Sequence, residues 1–177
     1  MIDTWRERWE MLVGLQERVE QHYTGKRCRQ NDGPTDFAGF VVQSENLRDG
    51  VQIAINEPKN GKVMVAMKRS TSLAIAHDLA IKIKHLEQSE TPWTGATDVE
   101  AFDTPRGVYN APPRRLGQAQ FTSWPPAPKY TPEPNTWAHQ WEIRYTPASA
   151  KIAVDGLEFS RSVVGDWRQI LDDLGLH

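Results

Sequence analysis

Cysteine is nearly missing from this chain of 177 residues, where Cys28 stands alone. One cysteine cannot close an internal disulfide, so nothing points to a secreted, stapled scaffold. Long apolar runs are missing too: no stretch approaches the roughly 18 residues of a membrane span. Met1-Ile2-Asp3-Thr4-Trp5-Arg6-Glu7 lacks the basic and then apolar profile of a signal peptide, so a cytoplasmic location is expected, with no membrane partner. No phosphate-cradling glycine loop, nucleophile elbow, zinc helix motif or paired-cysteine metal site occurs, and no cofactor or metal is expected. A basic excess is also lacking. Net charge of -2 argues against reading the whole chain as an electrostatic glove for nucleic acid.

What is present fits a globular domain. Hydrophobic content of 38% with 25% charged residues predicts one domain over 1–177, large enough for its own core. Residues Thr4 to Tyr23 read as a helix, because Thr4 and Glu7 stand at capping-box spacing and Gly25 supplies a stop. Ile2, Trp5, Trp9, Leu12, Gln16, Val19 and Tyr23 recur every three or four residues and form its apolar stripe. That stripe docks on the domain core or pairs across a homodimer.

Two later segments read alike. In 37–88, a short strand from Phe37 to Ser44 precedes a hairpin of Val51 to Ile55 and Val63 to Met67 around Pro58-Lys59-Asn60-Gly61, and a helix follows from about Ser72. In 137–177, Trp141 to Tyr145 and Lys151 to Val154 flank Thr146-Pro147-Ala148-Ser149, and a helix runs from about Val163 to Leu174, stopped by Gly175. The expected fold is α+β: an antiparallel sheet of two strand-turn-strand-helix units with helices on one face. Alternation places Ile53, Val65, Ile143 and Val154 in one sheet core. This duplicated plan resembles the topology of the Whirly and transcriptional-coactivator group of single-strand binders.

Between the units, 89–136 reads as an irregular insert. It holds nine of the twelve prolines, from Pro92 to Pro134, together with Trp93, Phe102, Tyr109, Phe121, Trp124 and Tyr130. So many aromatics argue for order. The prolines, which lack N–H donors, are expected to keep it out of the central sheet, with Gln118 to Ser123 as at most an edge strand.

Candidate chemistry is thin. His77 and His85 are too far apart on one helix to share a metal and read as solvated. His22-Tyr23-Thr24 matches the element of the two-histidine phosphoesterases, but that chemistry needs a second copy, and the other internal histidines supply none. Cys28, between Lys26-Arg27 and Arg29, has cations that would favour a thiolate, with only His22 or His139 as a base. The sequence therefore points to an accessory or regulatory protein that binds a protein partner. Trp93, Arg114, Arg115, Trp124 and Tyr130 supply the aromatic and arginine composition of interface hot spots. The alternative is single-stranded nucleic acid held on a sheet face, with Lys62, Lys68 and Arg69 as the basic residues. A small hydrolase without a recognisable motif is the third reading.

Overall fold

The computed structural model describes residues 4–24, 32–58, 61–85, 92–95, 99–106, 114–115, 138–145 and 152–176. Four helices come first: α1 (Trp5–Tyr23), α2 (Asp32–Ala54), α3 (Lys62–Arg69) and α4 (Thr71–His85). Strands β1 (Val99–Arg106), β2 (Arg114–Arg115), β3 (Ala138–Tyr145) and β4 (Ile152–Asp155) follow, and α5 (Gly156–Asp173) comes last. The sheet is antiparallel in the order β2-β1-β3-β4, so the class is α+β. No helix among the described residues is long and apolar enough to cross a membrane.

Helix α1 starts as its sequence dictates. Thr4 Oγ1 accepts from Glu7 N and the Glu7 carboxylate accepts from Thr4 N, completing the capping box. Its stripe lies on its own domain: Leu12, Val19 and Tyr23 are buried and Trp5 and Trp9 pack against the core. The last helix ends at Gly175 in the left-handed region, with Leu176 N returning to Leu171 O, as the glycine implies.

The first expected unit is not a hairpin. Val51 to Ala54 form the last turn of α2, which began at Asp32, and Val63 to Met67 lie inside α3. Phe37, Phe40, Val41, Ser44, Leu47 and Val51 recur at helical spacing and are all buried, so a helical period sustained through a 23-residue helix outweighs a five-residue alternation. Asn46 to Gly50, between the two strands expected of this segment, lie inside the same helix. Helix α2 ends at Asn56, φ 51°, where Glu57 N bonds back to Gln52 O. The Glu57 carboxylate then accepts from Lys62 N at 2.5 Å and Val63 N at 3.0 Å, capping α3 where Gly61 has no side chain to offer. Ile53 and Val65 consequently face outward, 73% and 45% exposed, whereas Ile143 is fully buried and Val154 partly so. Without the first hairpin, the duplicated topology and its likeness to the single-strand binders are lost.

The insert also departs from expectation, for it supplies β1 at the centre of the sheet. Val99 pairs with Tyr145, Ala101 with Ile143, Asp103 with Trp141 and Pro105 with His139. Pro105 is tolerated because, among the described residues, β2 reaches only Phe102 and Asp103 and leaves its missing donor unclaimed on that side. Gln118 to Ser123 lie outside the described residues.

The second unit is as expected in order, though α5 begins at Gly156, seven residues earlier than its apolar spacing implies. Asp155 caps it by accepting from Leu157 N and Glu158 N. At this junction Tyr23 takes over from the sheet ladder. Its hydroxyl donates to Trp141 O at 3.1 Å and lies within hydrogen-bond reach of Trp141 N at 3.0 Å and Leu157 N at 3.1 Å. The backbone groups of Trp141 that β4 leaves unpaired are thus satisfied by a side chain from α1. Gly156 is required there, since a Cβ would sit 2.6 Å from that of Trp141.

Candidate functional site

Three buried histidines each face a carboxylate. His22 Nε2 lies 2.8 Å from Asp36 Oδ2, and Arg18 Nη1 stands 3.6 Å from the other oxygen. His139 Nδ1 lies 3.0 and 3.1 Å from the two oxygens of Asp103. His77 Nδ1 lies 3.0 Å from Glu45 Oε2, and Arg48 pairs with the same carboxylate. Burying such groups is favourable only when each is paired, and each carboxylate pairs one ring nitrogen, although the buried Nε2 of His139 has no hydrogen-bond partner among the described residues.

The first two pairs meet. The rings of His22 and His139 stand edge to face with centroids 5.4 Å apart, and Trp141 stacks on His139 at 5.8 Å and on Phe37 at 5.0 Å. Gly33, in the first turn of α2, makes room for the His139 ring, because a Cβ there would lie 2.5 Å from it. The Asp103 carboxylate faces Nδ1 of His139 on the side away from Nε2, an arrangement that in an open site orients a general base. Yet His22 is 0% and His139 1% exposed, so no solute reaches either ring without displacing core side chains. The arrangement is a polar core joining α1, α2 and the sheet. His22 and His139, which the sequence offers as possible bases for Cys28, meet each other and two carboxylates instead, and such contacts between residues far apart in the chain carry no local signal. Cys28 lies outside the described residues.

The third pair sits beneath a surface. Trp93 stacks on His77 with centroids 3.5 Å apart, correcting the expectation that His77 is solvated; it is 5% exposed. The Asp78 carboxylate clamps the Trp93 turn, accepting from Trp93 N at 2.8 Å, Thr94 N at 3.1 Å and Thr94 Oγ1 at 2.7 Å. Lys68 Nζ lies 4.9 Å from the centre of the indole. His77 covers one face of the ring, which leaves the other to the ammonium. Thus Lys68, expected to serve nucleic acid, and Trp93, expected to serve a protein, belong to one site.

Lys62, Lys68 and Arg69 are all exposed on α3, a helix and not the sheet face anticipated for them. Among the described residues none of the three has a carboxylate partner, while Val63 and Met67 anchor the inner side of the helix. Ser70 and Ser72 at the junction with α4 both donate to Asp166 of α5, the Ser70 bond being 2.7 Å. Arg114 and Arg115 form β2 and pair by backbone with Asp103 and Phe102. Trp124 and Tyr130 lie outside the described residues. A separate cleft of about 340 Å³ beside Tyr23 is lined by Glu17, Glu20, Leu157 and Arg161, with Arg161 paired to Glu20 across it. Among the described residues no group of three or more His, Cys, Asp or Glu is placed to hold a metal ion.

No protein-family model matches this chain, and no curated protein or solved structure shows significant similarity to it.

Proposed function

We propose that this protein works by binding a protein partner, as an accessory or regulatory component, through the face that α3 presents beside Trp93. One observation carries the reading: three exposed cations, whose charged groups have no carboxylate partner among the described residues, surround Val65, itself 45% exposed, on a helix of eight residues. In a protein of net charge -2, such a face selects an acidic partner by charge and offers it an apolar centre. Trp93, fixed by Asp78 and His77, holds Lys68 in place at the border of this face.

The same cations favour the nucleic-acid alternative. Sequence-tolerant single-strand binding relies on bases stacked on open aromatic faces, however, and both faces of Trp93 are occupied. A hydrolase built on His22 and His139 would need these buried rings to meet substrate. The reading needs no cofactor and assumes a cytoplasmic setting. A photo-crosslinking amino acid in place of Val65, introduced in the native host, tests it. The expected result is an adduct with a discrete polypeptide that is lost when Lys68→Glu and Arg69→Glu are added. An adduct with nucleic acid, or one indifferent to charge reversal, would overturn it.

A further inference from the structure

We infer that an occupant of the α3 face is a second copy of this chain, docked through the outward side of its α1; the inference rests on α3 being a protein-binding face. Leu12 and Val19 turn inward from α1, and the opposite side presents Glu10 and Glu17. Both are exposed and neither has a cation partner among the described residues. Gly14 lies between them, where an added Cβ would meet nothing within 4 Å, and neighbouring Met11 is 54% exposed. This is an acidic row with a gap at its centre.

The row on α3 is its complement. Lys62, Val65 and Arg69 are spaced three and then four residues apart, whereas Glu10, Gly14 and Glu17 are spaced four and then three. Laid antiparallel, the two rows coincide: Lys62 meets Glu17, Val65 enters the space over Gly14, and Arg69 meets Glu10. With a rise of 1.5 Å per residue, each row sets its charges about 10 Å apart. Within one chain α1 packs chiefly on α2 and α5 while α3 packs chiefly on α4 and α2, and among the described residues no ion pair joins the two rows. Repeated about a two-fold axis, the contact would close a dimer. Charge thus selects the partner and the glycine gap sets the register.

Charge exchange tests this on the full chain by sedimentation equilibrium. The wild type is expected to dimerise at low salt and to dissociate as salt screens the pairs. Lys62→Glu/Arg69→Glu and Glu10→Lys/Glu17→Lys are each expected to weaken the dimer about tenfold or more, from like charges brought together. An equimolar mixture of the two variants restores association, since every contact then pairs opposite charges. Gly14→Leu, on an exposed helix side that tolerates it, weakens the dimer with all charges kept. A mixture no better than either variant alone, or a wild type that stays monomeric, would overturn the second copy as occupant. If the Val65 crosslink to another polypeptide survives that outcome, α3 remains a protein-binding face; if it is absent too, the broader reading falls with it.

Discussion

Replacing Tyr23 by phenylalanine should remove the joint between α1, the sheet and α5 while keeping the ring in place. The hydroxyl serves three backbone groups, Trp141 O, Trp141 N and Leu157 N. Leu157 N keeps Asp155 Oδ1 as a second acceptor, so the variant strands the two groups of Trp141. A buried polar group left unpaired costs about 1 to 3 kcal/mol, which sets the loss at about 2 to 4 kcal/mol after some relaxation. Burial, then the charge of Asp155, raises the ionisation of Tyr23 well above its ordinary range, and its backbone partners only partly offset this. The unfolded phenol ionises near pH 10, whereas the folded one stays protonated. This contribution is therefore fully present below about pH 10 and is lost as pH rises above it, at about 1.4 kcal/mol per pH unit. Tyr23→Phe cannot lose it. Urea denaturation followed by circular dichroism from neutral to alkaline pH should show the variant less stable at pH 7 and the gap closing above about pH 10. A cost below about 0.5 kcal/mol, within the range of an ordinary surface change, or a gap that stays constant with pH, would refute the reasoning.

Two further substitutions separate the observed fold from the one expected of the alternation. Ile143→Ala should cost about 2 to 4 kcal/mol from the buried side of β3, whereas Ile53→Ala, on the outer side of α2, should stay within about 0.5 kcal/mol; equal effects in chemical denaturation would contradict the helical assignment of α2. Asp103→Ala should destabilise by about 3 kcal/mol by leaving His139 unpaired in the core, and a double-mutant cycle with His139→Leu should show coupling above about 0.5 kcal/mol, its absence ruling out the pair as a structural contact.

How much of this was legible in the sequence differs by element. The capping box of Thr4 and Glu7 and the α1 stripe are local signals, and the helix stands where they place it. Gly175 likewise ends α5 by its own backbone freedom. Val51-Gln52-Ile53-Ala54-Ile55 misleads because Gly50 reads as a break; it is tolerated inside α2 where a Cβ would come within 3.2 Å of the Trp5 backbone, a tertiary reason. Strand β1 was hidden because Asp103 occupies a core position, acceptable only through His139, which lies 36 residues on. Of the expected binding residues, Lys68 and Trp93 converge, but their meeting depends on α3 being a helix. Composition can name such residues without placing them.

The tie from Asp166 to Ser70 and Ser72 carries a consequence for synthesis. Asp166 is translated 96 residues after Ser70. At about 5 to 20 residues per second, that delay is roughly 5 to 20 seconds. During this interval the junction that orients α3 lacks its anchor, while α1 already carries its complete acidic row. A ribosome-bound chain therefore offers one half of the proposed contact before the other is set. On the proposed pairing, neighbouring nascent chains on a single message would not associate until each has released its last helix.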